Sequence, residues 1–320
     1  MFFLLLAVIS NALLMIILRF YEEKPGNNMI MFLANYIVCV LVSAVIGFRD
    51  GLPAALTTAR GAQIGFALLV GLISGCFFLS GFLVSQKSIR ENGVVLSALF
   101  SKLGVLVPTL MAVLIYHDQP GTCAVIGFAL ALAAIFVINS DGIGAVSADI
   151  SENITGQIAA GTAANSSGGS TAASAVLPGR GRKLLLISVL LVGGFTDSMT
   201  NIFDKGGAAE LKDLFLLITF LTAGVLSAVV SLIRGQHFTK RDFCWGIVLG
   251  IPNYFASFFF LLALKSVPAV IAYPVNSAGA LLAVSTAGVL IFREKIDRRK
   301  RIGLILILAA LILLNLQSAS

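Results

Sequence analysis

Charge is scarce in this chain. Asp, Glu, Lys and Arg together make 12% of it, about half the share of an ordinary soluble domain. So few charged groups do not cover a water-facing surface. That excludes a typical soluble enzyme, a secreted disulfide scaffold and a disordered tail. Histidine occurs twice, as His117 and His237, far apart in sequence. The four cysteines, Cys39, Cys76, Cys123 and Cys244, lie in or beside apolar stretches with no Cys-x-x-Cys pair. Neither a zinc site nor a disulfide framework follows, and they read as small hydrophobes packed in helices. One Trp stands against 23 Phe, so runs such as Phe258–Phe260 read as packed or lipid-facing rather than as a cation cage. No Gly-x-x-x-x-Gly-Lys loop for phosphate is present.

Apolar residues are abundant instead. They make 58% of 320 residues, and the mean hydropathy is +1.00. The chain reads as an all-α polytopic membrane protein. Its net charge of +7 comes from basic residues between the apolar segments, where they meet lipid headgroups and set orientation. The densest run, 293–301, holds six basic residues in nine. No basic face with interleaved aromatics accompanies it, so nucleic acid is not a partner.

A bilayer core takes about 20 apolar residues per helix. Ten segments meet or nearly meet that length: 1–18, 29–48, 62–84, 93–116, 122–138, 184–203, 214–233, 243–264, 269–292 and 302–316. The first lacks a basic leader and runs to Arg19, so it reads as a membrane helix and not a signal peptide. Residues 139–183 are rich in Ser, Gly, Ala and Thr and read as a flexible linker. Two Asn-x-Ser/Thr matches there, at Asn153 and Asn165, are of the kind such composition produces by chance. The expected organisation is a first five-helix unit over 1–138, the linker over 139–183 and a second five-helix unit over 184–320.

The two units resemble each other. Leu114-Ile115-Tyr116-His117-Asp118, then Gly127, aligns without a gap on Leu290-Ile291-Phe292-Arg293-Glu294, then Gly303. Lys87-Ser88 matches Lys265-Ser266. Asn11 and Arg19 share their spacing with Asp197 and Lys205. Five is odd, so the second unit enters the membrane from the opposite side. The reading is two inverted repeats around a central cavity, which is a transporter architecture. Loops after odd-numbered helices carry 16 Lys and Arg and those after even-numbered ones carry 5. By the positive-inside rule both termini would lie outside.

Two charges fall inside apolar segments. Lys102 is near the middle of the fourth and Asp197 in the second half of the sixth. Each costs about 2.5–3.5 kcal/mol to insert at a helix centre. They face a polar cavity or each other, as a fastener between the units or as a substrate or ion site. Intramembrane charges usually mark a pathway, which favours the site. At 1.5 Å rise per residue their depths differ by roughly 9 Å, so no direct ion pair is required. Asn201 and Asp204 continue the stripe from Asp197, and a desolvated carboxylate there is a candidate for reversible protonation. The eighth segment carries Pro252-Asn253-Tyr254 and the ninth Tyr273-Pro274-Val275-Asn276. There, and at Pro108 in the fourth, proline removes a backbone hydrogen bond and bends the helix. The candidate substrate-binding or coupling residues are Lys102, Asp197, Asn11, Asn201, Asn253, Asn276 and Tyr273. No catalytic residue, metal ligand or cofactor is expected.

Residues Ser266 to Ala272, Gly288 to Lys295 and Gly303 resemble the closing signature of EamA-type members of the drug/metabolite transporter (DMT) superfamily. That signature has Glu after a helix and Gly about nine residues later, as Glu294 and Gly303 stand here. Asp118 and Gly127 take the same places in the first unit. Ser10-Asn11 resembles a motif of the family's first helix. The resemblance implies ten helices, a cavity lined by the first, third, fourth, sixth, eighth and ninth, and a multi-pass protein of the plasma membrane. It implies movement of varied small solutes, often amino acids and related metabolites, by export or exchange. With Lys102 for an anionic group and Asp197 for a cationic group or a coupling proton, the reading is a secondary transporter of a small polar metabolite, amino-acid-like or otherwise carboxylate-bearing, working by alternating access with proton coupling or exchange. The resemblance places both termini in the cytoplasm, against the loop charges. The spacing of Asp197 and Lys205 resembles that of the carboxylate and basic residue in small multidrug pumps. A multidrug efflux pump for lipophilic cations is therefore the alternative, and a membrane-embedded enzyme a more distant one.

Overall fold

A computed structural model describes residues 1–22, 28–92, 94–118, 121–123, 125–135, 137, 180–235, 238–290 and 298–318. The linker expected over 139–183 lies outside them up to residue 179, with Asn153 and Asn165. So do 291–297, with Glu294.

The described residues form helices without strands. In chain order these are α1 Phe2–Glu22, α2 Asn28–Arg49, α3 Leu52–Thr58, α4 Gly61–Asn92, α5 Val94–Leu103, α6 Leu106–Leu114, α7 Val125–Ile135, α8 Arg180–Gly206, α9 Lys212–Ile233, α10 Lys240–Leu264, α11 Ala269–Leu290 and α12 Arg298–Ser318. A 3-10 turn, Ala209–Leu211, leads into α9. Six stretches are long and apolar enough to cross a bilayer: Asn28–Arg49, Gly61–Ser85, Leu184–Gly206, Ala209–Ile233, Lys240–Leu264 and Ala269–Ala287. Shorter apolar stretches are Phe2–Leu18, Phe100–Leu114, Val125–Ile135 and Arg301–Leu313. In hydrocarbon every backbone N–H and C=O needs a partner within its own segment, which leaves the helix as the solution for such sequences.

The burial pattern is the reverse of a soluble bundle. On α2, Ile37, Leu41, Val45 and Phe48 point outward, while Asn35, Cys39 and Ser43 are buried. On α9, Leu221, Val225, Val229 and Leu232 point outward, while Thr219, Ser227 and Ser231 are buried. Apolar stripes thus face where lipid lies, and neutral polar groups face other helices; Ser43 donates to the Asp213 carbonyl on α9 and Thr219 to its own helix at Phe215 O. α10 packs on α2 through Gly246 and Gly250, a small-xxx-small pair. A Cβ at Gly246 would run into the Met31 carbonyl and the Ala34 side chain. Only a bare backbone lets the two axes come so close.

Several boundaries depart from the sequence reading; α1 runs on to Glu22 and α12 starts at Arg298, beyond their apolar segments. Segment 93–116 is two helices, not one bent helix. Gly104 and Val105 form a turn, with Gly104 N–H donating to Ser101 O at 3.2 Å and Val107 N–H to Gly104 O at 3.0 Å. Pro108 supplies the reason: it has no N–H to reach the Gly104 carbonyl, and its ring crowds that carbonyl. α10 and α11 run on through Pro252 and Pro274. The third segment continues well past residue 84, to Asn92, because nothing in Ser85–Asn92 stops a helix once it leaves the apolar layer. α8 begins at Arg180, so the last residues assigned to the linker are helical.

Candidate functional site

A cavity of about 330 Å3 lies among α1, α4, α5, α8, α10 and α11. These correspond to the first, third, fourth, sixth, eighth and ninth apolar segments. Its charged lining is Lys102 and Asp197. Lys102 is half-buried, and the Asp197 side chain has open surface within the cavity. Their charges interact, yet among the described residues neither side chain makes an ion pair or hydrogen bond. One cavity therefore carries one cation and one anion, both available.

The backbone explains the placement. α5 and α8 cross where Gly104 meets Gly194. A Cβ on Gly104 would lie 3.1 Å from the Gly194 amide nitrogen, and one on Gly194 would strike the Val107 side chain. Lys102 precedes this crossing by two residues and Asp197 follows it by three, so both charges leave it on the cavity side.

Asparagines supply the neutral polar lining. Asn11 Nδ2 donates to Asn276 Oδ1 at 3.1 Å, joining α1 to α11. Asn253 Nδ2 donates to Asn35 Oδ1 at 3.2 Å. Asn35, fully buried on α2, stands behind Asn253 and holds it. Cys39 Sγ donates to Gly250 O at 3.3 Å in the same layer. Thus Lys102, Asp197, Asn11, Asn253 and Asn276 line the cavity. Asn201 and Tyr273 lie behind its wall. Tyr273 Oη donates to the Asp197 carbonyl at 2.7 Å. Asn201 is buried with both amide atoms unpartnered.

Sequence reasoning missed Asn35. Its signal was present: a lone asparagine in an apolar run costs energy unless it is partnered. Asn35→Ala is expected to destabilise the protein by about 0.5–1.5 kcal/mol, because Asn253 loses its oxygen acceptor but keeps Cys39 Sγ at 3.7 Å, and the unpartnered Asn35 Nδ2 is removed with it. A thermal unfolding midpoint equal to that of the wild type would show that water takes the vacated place.

A second group of charges is separate from the cavity. Lys212 Nζ lies 3.0 Å from Asp50 Oδ2 and 2.7 Å from Asp213 Oδ2, and 5.1 Å from the Phe258 ring centroid. It ties the end of α2 to the start of α9. Among the described residues no cluster of His, Cys, Asp or Glu forms a metal site.

Comparison with known proteins adds three findings. Residues 184–316 match the model of the EamA-like transporter family. An uncharacterized protein of Haemophilus influenzae is 25% identical over 316 residues, 96% of this chain and 95% of that protein. A solved crystal structure of a protein 13% identical superposes with a TM-score of 0.70, over 99% of this chain and 96% of the other; at that identity the likeness concerns the fold alone. The apolar helices and the family match agree: residues 184–316 of this multi-pass membrane protein are similar to an EamA-like transporter domain.

Proposed function

We propose that the chain is a secondary transporter that moves a small polar, carboxylate-bearing metabolite, amino-acid-like in the simplest case, by alternating access. One observation carries this reading: Lys102 and Asp197 line the same cavity with opposite charges and without a direct ion pair. A zwitterion presents the complementary pair of charges. Lys102 takes its carboxylate. Asp197 takes its ammonium or, for a solute without one, a coupling proton. Asn11, Asn253 and Asn276 give neutral hydrogen bonds. Tyr273 supports the wall beneath Asp197, and Asn201 lies buried one turn further along α8. The architecture is ten crossing helices in two inverted repeats, 1–138 and 184–320, with the shorter apolar helices completing the count. The two units rock about the midplane site, in the plasma membrane.

The test is flux into proteoliposomes, with a panel of labelled amino acids and carboxylates. Uptake is expected to saturate and to be driven by counterflow from preloaded unlabelled solute. Lys102→Ala and Asp197→Asn are each expected to remove most of it. If both variants transport normally, the assignment is wrong. Linear, non-saturating flux would indicate a channel.

A further inference from the structure

The far end of the bundle holds a second polar constellation. α6 ends at Leu114 and the chain turns through Asp118, whose N–H donates to Ala112 O at 3.0 Å. His117 in this turn has φ +54°, a left-handed value that side chains other than glycine rarely adopt. The turn aims Asp118 at the end of α8. Lys205 Nζ lies 3.1 Å from Asp118 Oδ1 and 5.8 Å from the Tyr116 ring centroid. Asp118 is largely covered, with 13% side-chain exposure, while Lys205 reaches it from an exposed position at 34%. Asp118 Oδ2 is buried without a partner. Asp204, in the same last turn of α8, is close enough to Lys205, Lys265 and Asp118 for their charges to act on it. This pair links the first and second units at that end: one partner comes from the turn after α6, the other from α8.

Between cavity and pair the helices are shut together. Ala112, Leu264, Val270 and Ile271 pack there in one buried cluster with the cavity-lining Val105 and Phe260. Yet α8 runs a polar stripe through this layer: Asp197, Asn201 and Lys205 at successive turns. Asn201 is wholly buried and neither of its amide atoms is hydrogen-bonded. Tyr273, which donates to the Asp197 carbonyl, is near enough to feel Asp204 and Tyr116 as well. An apolar seal has no use for a buried, unsatisfied amide, which is costly to keep out of water. A passage that opens to water does.

We propose that the Asp118–Lys205 pair is the latch of a closed gate, and that the Asp197–Asn201–Lys205 face of α8 is the passage it shuts. The assignment rests on the alternating-access reading above. When the latch parts, α6 and the Tyr273 end of α11 move off α8, and Asn201 meets water. The cavity lining runs the other way, along α8 to Val189, α4 to Ser85 and α1 to Met15. The structure is therefore closed at the Asp118 end.

The experiment follows thiol access and needs no transported solute. Cys39, Cys76, Cys123 and Cys244 are replaced by Ser. Asn201→Cys is then labelled with a membrane-impermeant thiol reagent from the face that carries Asp118. Labelling is expected to be slow. Lys205→Glu, which replaces the attraction by two carboxylates face to face beside the largely covered Asp118, should speed it several-fold, up to about tenfold. The exchange Asp118→Lys with Lys205→Asp restores opposite charges and should restore slow labelling. An unchanged rate in Lys205→Glu, or a double exchange as fast as Lys205→Glu alone, overturns the gate. Ser101→Cys, open to the cavity, is labelled from the opposite face and should slow in Lys205→Glu. If Asn201→Cys responds and Ser101→Cys does not, the gate stands and the rocking mechanism falls.

Discussion

Purified protein is expected to melt at a higher temperature with amino acids or small carboxylates present, and the gain is expected to vanish in Lys102→Ala. A ligand that binds only the folded state stabilises it by mass action, by about 2.7 kcal/mol at a hundredfold excess over its Kd. The two cavity charges predict how losses sort among compounds. A simple carboxylate has one charge, so its effect depends on Lys102 and survives Asp197→Asn. A zwitterion loses stabilisation in both variants. A lipophilic cation depends on Asp197 alone, and Phe78 and Phe260 in the lining give it an apolar surface. A thermal-shift panel of the three compound classes against the two variants reads this directly. Stabilisation by lipophilic cations only, lost in Asp197→Asn, would replace the metabolite carrier with a multidrug efflux pump.

Gly194→Leu is expected to be among the most damaging single changes in the chain, and Gly193→Leu, one residue away, among the mildest. At Gly194 even a Cβ meets the Val107 side chain and the Gly104 carbonyl. A leucine has no void to enter and must push α8 off the α5–α6 turn. Overpacking of this kind costs about 1–3 kcal/mol and occasionally more. A Cβ at Gly193 meets nothing within 4 Å, because that residue borders the cavity. Leucine there gains helix propensity, about 1 kcal/mol over glycine. Unfolding midpoints in detergent compare the two, and equal midpoints would show that the crossing has slack. Gly193→Leu intrudes on the cavity, so ligand stabilisation should fall while the midpoint without ligand holds.

Much of this was legible in the sequence, and the unread parts have physical reasons. Lys102 and Asp197 stood out because a charge in hydrocarbon is so costly that few explanations for it exist. Asn11, Asn253 and Asn276 were legible by the same logic in weaker form. Asn35 followed that logic equally well but had no proline or charge beside it. The Asp50–Lys212–Asp213 group was invisible because its members fall between apolar segments, where charges are ordinary. Only the fold brings α2 and α9 together there. Asn201 was grouped with the cavity by helical spacing from Asp197 and Tyr273 by its place beside Pro274, and neither signal tells how far neighbouring helices close over a side chain. The Gly104 turn was read as a bend at Pro108, because hydropathy is blind to a missing amide.

That turn also bears on the lysine beside it. Peptide dipoles along a helix sum to a partial negative charge at its C-terminal end, where a nearby cation gains about 0.3–1 kcal/mol, and up to about 2 when partly buried. Ending α5 at Leu103 puts Lys102 in its last turn, so the backbone offsets part of the cost of keeping an ammonium at that depth. A continuous helix through Gly104 would leave the same ammonium in mid-helix, where the dipoles of neighbouring peptides cancel. Pro108 thus acts on the electrostatics of the cavity from a position that does not line it.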